Sequence, residues 1–234
     1  MMDIKLHCIE KGEGFPLVML HGNGENHNYF EHQIEYFSRK YRVIAVDTRG
    51  HGKSPRGEAP FTLEQFADDL KAFFDQMGIK RAIILGFSDG GNIALLFALK
   101  YQQYIEALII NGADLHPGGI KKTIQIPICI GYGLVCAMAK FSRSAAAKKE
   151  MLGLMVTQPN IPRSSLMQIK VPALVIVGTK DMVTAVHTND IHRHLPHSKL
   201  VVIEGDHFIA GKKPGQFNRE VEMFLMSVNQ EAGS

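Results

Sequence analysis

Gly86-Phe87-Ser88-Asp89-Gly90-Gly91 constrains this chain more than any other stretch. It follows Arg81–Leu85, an apolar, β-branched run that reads as a buried strand, and precedes Asn92–Lys100, which reads as a buried helix. A strand that becomes a helix within two or three residues holds its corner residue in a strained backbone conformation. Glycines must flank that corner, because a Cβ there would collide with the neighbouring turn. Ser88 then stands at the carboxyl end of a parallel strand with its hydroxyl exposed. The Asp89 amide points to the same place from the first helical turn, as in a G-x-S-x-G elbow. Serine is also a common helix cap, so the pentapeptide needs support from its neighbours.

The rest of the chain repeats the strand-then-helix rhythm. Residues 3–10 alternate loosely and read as an edge strand before Gly12-Glu13-Gly14. Pro16–Leu20 and Arg42–Val46 are apolar runs, separated by a helical segment over 27–39 with Phe30, Ile34 and Phe37 on one face. Thr62 and Gln65 form a capping box for a helix whose Leu63, Phe66, Leu70, Phe73 and Phe74 recur at helical spacing until Gly78. Further strands are expected at 107–111, 173–177 and 200–203. A closing helix carries Phe217, Val221, Phe224, Leu225 and Val228. Short apolar strands alternating with helices predict a parallel sheet covered on both faces, with ligands bound beyond the strands' carboxyl ends.

The interval 112–170 breaks this rhythm, being far longer than one crossover helix requires. It is apolar and Met-rich, and is read as a small helical lid. The expected organisation is a core of 1–111 and 171–234 with a lid insertion at 112–170. The bland alternative is an extra helix pair packed on the body.

With 45% hydrophobic and 21% charged residues and a formal charge of +3, the chain has an ordinary globular composition and no basic stripe for nucleic acid. Cys8, Cys129 and Cys136 are an odd number without metal or redox spacing, which fits reduced thiols and a cytoplasmic setting. No export signal is read at the start. The weakly charged run 124–139 is too short for a membrane span and contains Pro127, Gly131 and Gly133. Lys121-Lys122 and Lys148-Lys149 are read as ordinary lid charges, with a membrane-surface lid left open.

A serine hydroxyl needs a base, and a histidine base needs a carboxylate to orient it. Val175–Asp181 places Asp181 just past a strand, and Val201–His207 places His207 just past the next. Asp114, after the strand ending at Asn111, is the rival acid; Asp206 is expected to point away from His207. The oxyanion of a tetrahedral intermediate needs donors. The Asp89 amide is one, and Asn23, in the His21-Gly22-Asn23-Gly24 loop, is chosen as the other. His21 is read as a brace for that loop. Gly22, Gly24, Phe87, Leu134, Met138 and Met155 are the expected substrate contacts.

These marks, with Asp47-x-Arg49-Gly50-His51-Gly52-x-Ser54, occur in an order that resembles the α/β-hydrolase superfamily nearly end to end. The resemblance implies a mostly parallel eight-stranded sheet with helices on both faces, a small helical lid and no cofactor. It implies less about substrate, since one scaffold serves many chemistries. The expected activity is a serine hydrolase that cleaves a small carboxylic ester through an acyl-enzyme, acting on a small-molecule ester or acyl substrate. C–C hydrolysis, acyl transfer and an aminopeptidase reaction are the alternatives on the same residues. A small-molecule binding protein is the alternative from another class.

Three other motifs are weaker. Gly52-Lys53-Ser54 ends like a P-loop, but Asp47 stands where that motif needs its first glycine. A dinucleotide fingerprint starting at Gly22 would need its third glycine at His27. His192, His194 and His197 lack a shared helical face and are interrupted by Pro196, so no metal is expected.

Overall fold

A computed structural model describes residues 3–232. Seven strands form one sheet in the order β1-β3-β2-β4-β5-β6-β7. They are β1 (Cys8–Lys11), β2 (Pro16–Leu20), β3 (Arg42–Val46), β4 (Ala82–Phe87), β5 (Ile105–Asn111), β6 (Ala173–Gly178) and β7 (Ser198–Ile203). Only β1 runs antiparallel, pairing Cys8 with Val46; every other pair is parallel.

The eight strands implied by the resemblance are seven among the described residues. Ile4 and Leu6 are buried, yet residues 3–6 pair with no strand, and His7 extends the ladder only through its carbonyl, which accepts the Asp47 amide at 2.9 Å. Side chains supply most of the other polar contacts that hold the segment. Asp3 binds the Arg49 guanidinium and accepts the Glu58 and Ala59 amides, and Ser54 Oγ accepts the His7 amide.

Two apolar layers sandwich the sheet. On one side pack α2 (Leu63–Gln76) and α3 (Asp89–Tyr101), with Leu70, Phe74, Ile93 and Phe97 against Val18, Ile44 and Ile84. On the other pack α1 (Glu31–Phe37) and the closing helix (Pro214–Ala232), with Phe30 just before α1, Phe37, Phe217 and Val221 against Leu17, Val43, Leu85 and Ile176. The alternation of each strand's side chains sorts them between these layers. Thr62 caps α2 through the Gln65 amide, but the Gln65 side chain reaches Asp69, so the capping box is only half made.

The loop after β3 is built around two buried charges. Arg49 is fully buried, forks onto Asp69 and also binds Asp3. Asp47 accepts the Lys53 and His27 amides and one imidazole nitrogen each from His7 and His27. Burial opposes its ionisation, but these donors hold the Asp47 carboxyl below its ordinary value. The loop amides that a P-loop would offer to phosphate are thus turned toward a carboxylate. Gly52 makes this possible: its φ is +54°, and a Cβ there would lie 2.3 Å from the Asp47 carboxylate.

Residues 112–170 fold as a helical hairpin, α4 (Lys122–Met138) and α5 (Arg143–Thr157), between the short turns Pro117–Gly119 and Arg163–Gln168. The chain ends with α6 (Ala185–His194), α7 (Ile209–Lys212) and α8 (Pro214–Ala232). No described helix is long and apolar enough to cross a membrane.

Candidate active site

The chain leaves β2 toward β3 on one side and later crosses to β4 on the other. The crevice of such a sheet therefore opens between the ends of β2 and β4. The loop at His21–Gly24 and the corner at Ser88 both lie there. Ser88 has φ 53° and ψ −120°, and is the only non-glycine residue with positive φ among those described. The flanking glycines are obligatory. A Cβ on Gly86 would sit 2.3 Å from the Gly90 carbonyl oxygen, and one on Gly90 would sit 2.0 Å from that of Leu20. The start of α3 therefore touches the end of β2 backbone to backbone, which brings the Asp89 amide beside the His21–Gly24 loop.

Ser88 donates its amide to Asn111 O at 2.8 Å, while its hydroxyl makes no capping bond to α3. His207 and Asp181, from the loops after β7 and β6, join through Nδ1 and Oδ1 at 2.8 Å, and Asp181 Oδ1 also accepts the Val183 amide. Both are buried. The imidazole lies 4.8 Å, centroid to centroid, from Phe87, the residue before Ser88. Its other wall is Gly112, the residue after Asn111, where a Cβ would sit 2.7 Å from His207 Cε1. Serine and histidine are thus held by adjacent backbone, although no hydrogen bond joins the Ser88 hydroxyl to His207 in this state. Such bonds commonly tighten only when substrate is bound.

Asp114, the rival acid, is engaged elsewhere. Its carboxylate accepts from Asn92 Nδ2 at 3.1 Å, and its amide donates to Asn92 Oδ1. Asn92 also reaches Asp89 Oδ1 at 3.4 Å, so one amide links two buried carboxyls behind Ser88. Burial pushes Asp89 up to about 6 and Asp114 up to about 7. Asp206 turns away, as expected, accepting the Phe208 amide and binding Lys212. His21 also behaves as read: it spans Gly22 O and the Thr48 amide, and burial pushes it down to about 4. Accepting from Thr48 at Nε2 fixes a neutral ring that is protonated on Nδ1.

The expected substrate contacts divide. Gly22 and Gly24 lie in the loop at the crevice; Gly24 has φ +74° and open space around its Cα. Phe87 is not a lining residue. It is buried, stacks on Tyr29 at 4.2 Å and supports His207 from below. Leu134 and Met138 are not brought to the crevice either. They stand exposed on the side of α4 opposite Gln125 and Tyr132, the residues that meet α5. Met155 sits on α5, where its carbonyl accepts from Gln125.

Two features escaped sequence reasoning. Burial pushes Glu25 up to about 7 while its carboxylate accepts the Gly22 amide, bracing the same loop. Asn23 Nδ2 donates to Met151 O at 2.8 Å, fastening that loop to α5. Neither has a local signal, since each depends on a partner or on burial supplied by the fold. Among the described residues, the one grouping with metal-ligand geometry is His7, His27 and Asp47, away from the three histidines weighed in the sequence. All three cysteines are free thiols.

Comparison with known proteins agrees with this architecture. Residues 16–126 match the family model described as alpha/beta hydrolase fold. Human serine hydrolase BPHL is 31% identical over 95% of this chain and 83% of its own length. The 3-oxoadipate enol-lactonase 2 of Acinetobacter baylyi is 26% identical over 97% of this chain and 95% of its own. The enol-lactonase structure from Burkholderia xenovorans LB400 superposes with a TM-score of 0.80 at 23% identity, covering 95% of this chain and 97% of that one, a likeness of fold. The chain belongs to the α/β-hydrolase superfamily.

Proposed function

We propose that this protein is a serine hydrolase that cleaves small carboxylic esters through an acyl-enzyme, with Ser88 as nucleophile, His207 as base and then acid, and Asp181 as the orienting carboxylate. The reading rests above all on one observation. The single strained non-glycine corner among the described residues carries a serine, and a buried His207–Asp181 pair packs against the residue before it. The hydroxyl would attack the ester carbonyl and pass its proton to His207 Nε2, while Asp181 keeps the Nδ1 proton in place. The oxyanion would be met by the Asp89 amide, free of an intrahelical partner as a first-turn N–H, and by the Asn23 amide. Collapse would expel the alcohol, protonated by His207, and leave the acyl group on Ser88 for a water activated by the same imidazole.

On this reading residues 112–170 are the lid, and 1–111 with 171–234 the catalytic core. The A. baylyi relative acts, by its name, on a cyclic ester, which supports an ester bond over an amide or C–C bond. A panel of p-nitrophenyl esters of rising chain length, run on wild type and Ser88→Ala, tests the proposal. Turnover is expected only with the wild type, and a fluorophosphonate is expected to label Ser88. Equal rates in the two proteins, or an unlabelled serine in folded protein, overturns it.

A further inference from the structure

An ordinary surface helix turns its apolar stripe inward and its polar residues to water. Helix α4 does the reverse. None of its residues is buried. Its inner face, with Gln125 and Tyr132, meets α5. Its outer face repeats every three to four residues as Ile126, Ile130, Leu134 and Met138, continued by Phe141 in the following turn, and these are 56–91% exposed. Between Ile126 and Met138 the exposed positions carry no charged side chain. Pro127, Cys129, Gly133 and Ala137 fill the gaps. An open groove of about 570 Å³, lined by Pro117, Ile120, Ile126, Cys129 and Ile130, adjoins the stripe. Isolated exposed hydrophobes need no explanation, but an aligned stripe about 18 Å long on the helix does.

Charge identifies what covers it. Exposed Lys122 and Lys140 stand at the two ends of the stripe and exposed Lys148 adds a third positive charge on the same hairpin, while Arg143 and Lys149 line a groove on its other face with Tyr132 and Cys136. The one acid on the two helices, Glu150, is taken by Arg56 of the core. A second copy docked through this face would bring two uncompensated cationic surfaces together, whereas an anionic surface would neutralise them. No described helix can span a bilayer, and the apolar residues occupy one side of α4, so the geometry is that of a helix lying in an interface. We infer that the outer face of α4 docks this protein onto anionic phospholipid membranes, with Ile126, Ile130, Leu134, Met138 and Phe141 inserted at the acyl boundary and the hairpin's lysines at the headgroups. This stands apart from the hydrolytic reading and requires no turnover.

The whole chain is mixed with sedimentable vesicles of phosphatidylcholine, alone or with about 30% phosphatidylglycerol. Binding is expected at least ~10-fold stronger to the anionic vesicles and weaker as salt is raised from about 0.1 M to about 1 M. The Ile130→Glu/Leu134→Glu double variant is expected to lose that binding while keeping the wild-type melting temperature, since both positions are exposed. The chain contains no tryptophan, so Leu134→Trp gives an unambiguous reporter that does not depend on the double variant folding. Its emission is expected to shift to the blue on adding anionic vesicles, whereas a Met226→Trp reporter, exposed on α8, stays unchanged. The inference is overturned by absent or salt-indifferent binding, by full binding of the double variant, or by equal shifts at both reporters. A lipid-free dimer that the double variant dissolves would overturn it too, assigning the face to a second copy.

Discussion

Ser88 should make the folded protein less stable than it could be, and the deficit can be measured with two variants that differ by one methyl group. At φ 53° and ψ −120° the residue occupies backbone space that belongs to glycine, a conformation costing of order 1–3 kcal/mol. Ser88→Ala keeps the Cβ and so keeps the strain. It loses only a hydroxyl that makes no capping bond, so its stability is expected within about 0.5 kcal/mol of wild type. Ser88→Gly removes the Cβ, but the freer unfolded chain takes back roughly 0.5–1 kcal/mol. The net gain is therefore ~1 kcal/mol over Ser88→Ala, or ~2–4 °C in melting temperature for a chain of this length. The amide bond to Asn111 O survives in both variants, so the comparison isolates the side chain. Paired calorimetric scans at one pH read the difference, and ester assays are expected to find both variants inactive. A glycine variant that melts at or below the alanine variant would refute the argument that the elbow stores strain.

Three further outcomes are expected. Asp181→Asn lowers kcat by ~10³–10⁴ with little change in KM, while Asp114→Asn stays within about threefold of wild type, as steady-state ester kinetics will read; equal losses would make Asp114 a participant. Asp89 and Asp114 have folded values raised by burial to about 6 and about 7 from 3.8, so the stability they allow at low pH is lost as pH rises through those values. Asp114→Asn, which removes one of these titrations, should flatten the decline of melting temperature between about pH 4 and about pH 7, and an unchanged slope counts against it. Asn23→Ala deletes the bond to Met151 O but keeps the backbone amide, so it raises KM by about 2–10-fold while kcat holds within about threefold; a collapse of kcat instead would mean that the loop itself is displaced.

Much of this was legible because it is local. The β-branched runs locate β2 to β7 to within a few residues, and the glycines around Ser88 are demanded by backbone collisions that the pattern alone predicts. Asp181 and His207 could be found because each directly follows a strand, and parallel strands bring their ends together. What was missed depends on direction or on distant partners. Leu134 and Met138 sit on a helix apolar on nearly every side, and such a sequence does not say which side faces out. Phe87 was adjacent to Ser88 in sequence, yet strand alternation sends it to the opposite layer, onto Tyr29. Residues 3–6 have the apolar content of a strand, but Asp3 at their start is tied to Arg49, distant in sequence, and they stay outside the sheet.

The manner in which the hairpin is fastened bears on how the proposed site would work. Toward the core, α5 and the segment just after it make three polar contacts: Met151 O with Asn23, Glu150 with Arg56, and Gln158 Oε1 with the Leu63 amide. The hairpin's entry is pinned more firmly, by the bridge of Ile120 with Val183 and by the Lys121 and Thr184 amides on Met182 O and Gly119 O. Arg56 and Glu150 are more than a third exposed, so their ion pair contributes little to stability. On the lid reading, closure would depend on Leu154, buried in the core cluster with residues of α2 and α3, and on two single hydrogen bonds worth about 0.5–1.5 kcal/mol each, with the pinned entry as hinge. One of them belongs to Asn23, whose backbone amide is the proposed second oxyanion donor. Movement of α5 would thus pull on the loop that must be in place when the oxyanion forms, so that lid position and oxyanion geometry change together.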